Sequence, residues 1–277
     1  AAHRGEWQKT AVGSHECRGK TLGIVGYGNI GMQLGVIAEG LGMKVIYFDV
    51  QSKLPLGNAQ PKATLISLLA EAHVVSLHVP QHASTELLIG EKEIAALRQG
   101  AMVINASRGN VVDLDALAEA LKSGHVGGAA IDVFPVEPRS NNDEFVSPLR
   151  GLDQCLLTPH IGGSTEEAQE NIGVEVAEKL SHYSDNGTTI SAVNFPEVAL
   201  PAYDGKHRLL HVHRNTPGIM SAINQVFSDN NVNVSGQYLQ TLGEMGYVVI
   251  DIEADYSKVL IKSLTAIEGT LRVRVLF

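Results

Sequence analysis

An apolar run, Thr21 to Val25, breaks at Gly26-Tyr27-Gly28-Asn29-Ile30-Gly31. An apolar-periodic stretch then reaches Leu41, and a second run, Val45 to Phe48, ends in Asp49. The order strand, glycine turn, helix, strand, acid admits few folds, because it describes a crossover between two parallel strands. The first glycine permits the tight turn, the second lets the backbone approach a pyrophosphate, and the third lets helix and strand pack closely. A pyrophosphate would lie on the helix N-terminus, where free N–H groups and the positive dipole end meet it. Gly26, Gly28, Asn29, Ile30 and Gly31 are therefore candidate dinucleotide-binding residues. Asp49 can accept from both ribose hydroxyls and would repel an added 2′-phosphate, so NAD is the expected cofactor, with Lys53 near enough to moderate the preference over NADP.

From Thr21 to about Thr158 strands and helices alternate. Apolar runs at Val45 to Phe48, His73 to Val79, Ala101 to Asn105, Gly127 to Val133 and Cys155 to Leu157 enclose helical periodicity at Leu65 to Ala70, Glu91 to Arg98 and Leu114 to Ser123. This pattern predicts an α/β fold, a Rossmann-type doubly wound parallel sheet. Asp113 is placed to cap the helix at Leu114, and Gly124 to end it. Ligands of such a sheet gather at the carboxyl ends of its strands. Three residues there carry chemistry. Arg108, between Ser107 and Gly109, can grip a carboxylate and its neighbouring oxygen with its fork. Glu137 is held between two prolines, and His160 follows Pro159 ahead of Gly162-Gly163. Oxidising a secondary alcohol needs a base for the hydroxyl proton, and a His oriented by a carboxylate serves in both directions near neutral pH. Other histidines, His73, His82, His125 and His211 among them, lack such a setting and read as structural or exposed. His78, at a strand tip before Val79-Pro80, is the nearest exception.

With 277 residues, 44% of them hydrophobic, the chain can bury a real core and should hold two domains. A formal charge of −9 disfavours nucleic acid or an anionic membrane as partner. Two isolated cysteines, Cys17 and Cys155, supply neither a disulfide framework nor a metal site, and no signal peptide or membrane-length apolar stretch is present, so a cytoplasmic location is expected.

The set Gly26 to Gly31, Asn105-Ala106-Ser107-Arg108-Gly109, Asp132-Val133-Phe134, Glu137-Pro138 and Thr158-Pro159-His160-Ile161-Gly162-Gly163 resembles the D-isomer-specific 2-hydroxyacid dehydrogenase family. The resemblance implies that Arg108 binds the substrate carboxylate, that His160 is the acid/base and that Glu137 pairs with it. It implies further that Asp132 holds the nicotinamide end, and that Asp49, Val79, Pro80, Thr85, Ala106, Ser107, Arg108, His160, Gly162 and Gly163 line the cofactor site.

After an acidic helix start at Ser164-Thr165-Glu166-Glu167, residues 207–277 read strand, helix, strand, strand, helix, strand. This is the ferredoxin-like βαββαβ order. With His213-Arg214-Asn215-Thr216-Pro217-Gly218 at its first turn, the segment resembles an ACT domain, an amino-acid-sensing module. Family members carrying such a tail oxidise 3-phosphoglycerate, a phosphorylated 2-hydroxy acid, with NAD on the way to serine. By that resemblance L-serine is the feedback effector, His213, Asn215 and Asn233 are its contacts, and the protein is a homo-oligomer, a tetramer through its ACT and nucleotide domains. The expected division is 1–20 as hinge-helix end and linker, 21–163 as NAD-binding domain, 164–186 as a helix returning to the substrate lobe, 187–206 as linker and 207–277 as ACT domain. The N-terminal part of the substrate lobe is expected to be missing, and Trp7 resembles a hinge tryptophan that packs on a neighbouring subunit. Two alternatives keep the fold: reduction of another 2-keto acid such as 2-oxoglutarate, or an NADH-sensing regulatory protein.

Overall fold

A computed structural model describes residues 2–7, 9–201, 207–253 and 258–276, which form two compact units, Ala1–Thr165 and Glu166–Phe277. In the first unit β1 (Thr21–Val25) is buried at all five positions, as expected of a parallel strand covered on both faces. It leads into α1 (Asn29–Gly40) and β2 (Lys44–Phe48), followed by β3 (Gln60–Pro61), α2 (Leu65–Glu71), β4 (Val74–Leu77), α3 (Glu91–Ala95), β5 (Ala101–Asn105), α4 (Leu114–Lys122), β6 (Val126–Ile131) and β7 (Cys155–Leu157). The sheet order is β3-β2-β1-β4-β5-β6-β7, with every pairing parallel. Because β1 lies between β2 and β4, the chain leaves it in one direction and returns on the other side, and a crevice opens at the carboxyl ends of β1 and β4. Leu69, Leu77, Val103, Leu117 and Ile131 fill the main core, while Ile24, Tyr27, Val45 and Tyr47 pack a second cluster under α1.

Local chemistry explains the boundaries. Asp113 Oδ1 accepts from the amides of Asp115 and Ala116, capping α4, and Gly124 follows that helix at φ +74°. The helix expected over Glu91–Arg98 stops at Ala95. The backbone tightens there into three-residue turns, Leu97 N to Ile94 O and then Ala101 N to Arg98 O, the second containing Gly100 at φ +75°. The edge strand β3 was not expected: it is two residues long and contains a proline, which hides it from any period-of-two pattern.

In the second unit α5 (Glu166–Asn186) precedes β8 (His207–Arg214), α6 (Ile219–Asp229), β9 (Val234–Leu242), β10 (Met245–Ile252), α7 (Lys258–Ala266) and β11 (Thr270–Val275). The antiparallel sheet runs β11-β8-β10-β9. Alternation along β8 and β10 gives each face its own core. Leu209, Val248 and Ile250 pack with Ile223, Phe227, Leu260 and Leu264, whereas Leu210, Tyr247 and Val249 pack with Val198 and Leu276. The 187–200 segment is fastened to that second face, Tyr247 OH donating to Gly187 O at 2.7 Å and Thr188 OH to Val198 O at 2.9 Å.

Within this unit a buried ion pair joins β8 to β10. Arg208 Nε and Nη2 donate to the two Asp251 oxygens at 2.6 and 2.8 Å, and Nη1 donates to Asn186 O at 3.1 Å. Removing one partner would strand a charge without water. Asp251→Ala is therefore expected to destabilise this unit by about 3–5 kcal/mol. Hydrogen exchange of the β8 and β10 amides under native conditions measures this, and unaltered protection would show that the pair contributes nothing.

Candidate active site

The glycine turn after β1 has the three properties a dinucleotide needs. Gly26 sits at φ +90°, and a Cβ there would lie 2.4 Å from His78 O, at the tip of β4. A Cβ on Gly31 would lie 2.3 Å from Gly26 O, so α1 could not approach β1 with any other residue. Gly28 has no atom within 4 Å of its Cβ position, which leaves space beside the helix start, and it makes no side-chain cap on α1. The first helical N–H groups thus remain available to a phosphate. At the end of β2 the Asp49 carboxylate is fixed by Tyr27 N and Gln51 N, both at 2.8 Å, and keeps acceptor capacity for ribose hydroxyls. Lys53 turns to Gln51 Oε1 at 2.8 Å. Asp49→Ser removes the charge that would repel a 2′-phosphate. It is expected to raise the ratio of NADP to NAD turnover by about tenfold or more, measured as kcat/KM with each cofactor, and an unchanged ratio would remove Asp49 from cofactor choice.

Past β4, Thr85 closes a short turn. Its hydroxyl donates to Pro80 O at 2.7 Å, so it shapes the Val79-Pro80 wall. His78 is paired with Ser76 Oγ at 2.9 Å, and burial lowers its pKa, which keeps it neutral.

The Arg108 loop is built on a residue that sequence reasoning gave no role. Asn105, fully buried at the end of β5, accepts from Ser107 N (3.0 Å) and Ser107 Oγ (2.8 Å) and donates to Arg108 O (3.0 Å). Ser107 has therefore turned its hydroxyl proton inward, while Ala106 and Arg108 are exposed. The Arg108 guanidinium leans on Ser107 O at 2.6 Å. Directly after it, a Cβ on Gly109 would lie 2.0 Å from the carbonyl carbon of Phe134, so only glycine lets this loop cross the segment leading to Glu137.

Beyond β6 and β7, two carboxylates organise the histidine. Asp132, 8% exposed, accepts from Thr158 OH at 2.6 Å, Ile161 N at 3.0 Å and Gly162 N at 3.1 Å, and so pins both ends of the turn that carries His160. Burial on its own would raise its pKa, but these three donors and the nearby His160 outweigh it and hold the carboxyl below its usual value. His160 has φ +54°, a left-handed conformation that costs a non-glycine residue energy and persists where the surroundings impose it. Its Nδ1 meets Glu137 Oε2 at 2.9 Å and Oε1 at 3.1 Å, and Phe134 N donates to Oε1 at 3.0 Å. Burial of Glu137 opposes ionisation, yet the His160 bond and the Phe134 amide prevail and its pKa is lowered. With Nδ1 so occupied, Nε2 is the nitrogen available for proton exchange. Phe134, Glu137, Phe145, Thr158 and His160 line a cleft of about 420 Å³.

Residues 1–162 match the family described as D-isomer specific 2-hydroxyacid dehydrogenase, NAD binding domain. The chain belongs to that family. Its first 162 residues are thus an NAD-binding domain, which agrees with the open Gly28 cradle and with Asp49. Residues 209–272 match an AHAS small subunit-like ACT domain. Among relatives of this family member, the D-3-phosphoglycerate dehydrogenase of Haemophilus influenzae is 59% identical over 275 residues, 99% of this chain and 67% of the relative. That of Escherichia coli K12 is 58% identical over 278 residues, 100% of this chain and 68% of the relative. A solved D-lactate dehydrogenase of Aquifex aeolicus, complexed with NAD and lactic acid, is 29% identical with a TM-score of 0.58, over 66% of this chain and 58% of that one.

The three expected effector contacts are not brought together within one chain. His213, 1% exposed, lies near the end of β8, and Asn215 just beyond it donates to Gly243 O at 3.3 Å. Asn233 is exposed and precedes β9, whose first residue is in register with Ile252 and so with the His207 end of the sheet. Among the described residues no helix is long and apolar enough to cross a membrane, and no cluster of His, Cys, Asp and Glu could hold a metal ion.

Proposed function

We propose that this protein oxidises D-3-phosphoglycerate at C2 to 3-phosphohydroxypyruvate with NAD, the first step toward serine, and that L-serine inhibits it through the ACT domain. The observation that carries the chemistry is the Glu137–His160 hydrogen bond at 2.9 Å, with Arg108 on the neighbouring strand tip. Arg108 grips the substrate carboxylate. His160 Nε2 takes the C2 hydroxyl proton, Glu137 stabilises the imidazolium that results, and Asp132 keeps the turn in place. Bound NAD would supply the acceptor for the C2 hydride. The names of the Haemophilus and Escherichia relatives support the choice of acid.

The serine site is assigned to His213, Asn215 and Asn233. Their placement at opposite ends of the sheet supports a site shared between copies: β9 is an edge strand, and antiparallel pairing of two such edges about a two-fold axis carries Asn233 of one copy to the Asn215 end of the other. A homo-oligomer, tetrameric and cytoplasmic, completes the reading.

The test is NADH-dependent reduction of 3-phosphohydroxypyruvate by the full-length protein, with and without L-serine and in competition with 2-oxoglutarate. Activity suppressed by serine is expected. Preference for 2-oxoglutarate would change the acid, activity indifferent to serine would release His213, Asn215 and Asn233 from their role, and no turnover with either acid would sink the dehydrogenase reading.

A further inference from the structure

We propose that His211 and Thr270 fix the tautomer of His213, so that its imidazole presents Nε2 as a hydrogen-bond acceptor to the effector. This rests on the reading of His213 as an effector contact. The alternation of β8 puts both histidines on the face that Leu209 turns toward the helices, and they are 0% and 1% exposed. Their Nδ1 atoms lie 3.2 Å apart, while His211 Nε2 lies 3.0 Å from Thr270 Oγ1.

With the Thr270 hydrogen on Leu264 O, proton counting sets the remaining directions. A threonine hydroxyl has one hydrogen, and Thr270 donates it to Leu264 O at 3.1 Å, near the end of α7. Toward His211 the hydroxyl can only accept, so His211 carries its hydrogen on Nε2. A neutral imidazole has a single N–H, which leaves His211 Nδ1 as an acceptor. The 3.2 Å contact therefore requires the hydrogen on His213 Nδ1. Nothing remains for His213 Nε2 but its lone pair. Backbone carbonyls favour an N–H on each ring, those of Leu264 and of His211 itself on the His211 ring and that of His211 on the His213 ring. Burial lowers the pKa of both rings, His211 to about 4, so both are neutral near pH 7 and the count of one hydrogen per ring holds.

The acceptor faces Gly246 of β10, where a Cβ would stand 2.2 Å from Nε2. The missing side chain leaves that nitrogen its space. A group meeting it must be a donor, and serine carries two, an ammonium and a hydroxyl. Its carboxylate would face a lone pair there and belongs on the amide N–H groups of the asparagines. His211 and Thr270 are thus positioning residues that act through His213 without touching the effector.

Two measurements on the full-length protein test this. With 15N-labelled histidine, the spectrum near pH 7 is expected to show His213 protonated at Nδ1 and bare at Nε2. A hydrogen on Nε2 would overturn the relay. By calorimetry with L-serine, Thr270→Ser, which keeps the hydroxyl, is expected to bind within about threefold of the unsubstituted protein, whereas Thr270→Val is expected to bind at least about tenfold more weakly. Without the Thr270 hydroxyl His211 loses an acceptor for its Nε2 hydrogen, and moving that hydrogen to Nδ1 reverses the polarity of His213. Equal binding by Thr270→Val would overturn the relay as well. If the unsubstituted protein binds no serine, the effector reading fails by itself, and the labelled spectrum still decides the tautomer.

Discussion

Replacing His160 by alanine in the full-length protein is expected to lower kcat for 3-phosphoglycerate oxidation by about two to four orders of magnitude, the usual contribution of a positioned acid/base. The geometry behind this is specific. The left-handed turn at φ +54° aims the ring, Asp132 ties the turn from both sides, and Glu137 occupies Nδ1. Glu137, whose pKa is depressed, stays ionised throughout the pH range in which an imidazole can exchange protons. Glu137→Gln should consequently lower kcat less than loss of the ring, because an amide oxygen can still accept from Nδ1 but cannot balance the imidazolium charge. Steady-state kinetics at saturating NAD give both numbers. Full activity in His160→Ala would mean that another group moves the proton.

Gly109→Ala should be nearly as damaging despite adding one methyl group. The new Cβ would sit 2.0 Å from the Phe134 carbonyl carbon, 2.1 Å from its oxygen and 2.6 Å from Pro135 N. All three are backbone atoms, so no rotamer change relieves the overlap. Either the Arg108 loop lifts or the Phe134–Glu137 segment shifts, and a displacement of about 1 Å in an active site can cost a hundredfold in rate. Overpacking of this kind also destabilises by about 3 kcal/mol. Gly173→Ala in α5 is the control. A Cβ there meets nothing within 4 Å, and alanine is the better helix former, so the melting temperature should hold or rise. Equal behaviour of the two variants would refute the argument from close approach.

The proposed catalytic trio stands out in the sequence because each member sits in a short motif at a strand tip, where local residue order and the parallel-sheet rule suffice. Asn105 stands inside one of those motifs, yet its task of holding both Ser107 and Arg108 depends on an amide buried beneath the loop. The role given to Asp132, holding the nicotinamide end, gains a companion that sequence did not suggest, since its donors lie 26 to 30 positions onward. His211 reads in the sequence as one structural histidine among several. Its partner Thr270 is 59 residues away, and only the pairing of β8 with β11 brings them together.

By itself the sequence determined the alternation of strands and helices, the dinucleotide turn, the candidates proposed as acid/base and carboxylate anchor, and the βαββαβ order of the tail. Hydrophobic period, glycine placement and side-chain chemistry are properties of neighbours along the chain. Tertiary structure decided which backbone crosses Gly109, which donors occupy Asp132, and where the single hydrogen of each buried imidazole resides. Those depend on contacts between residues far apart in sequence, and on the requirement that every buried polar atom find a partner.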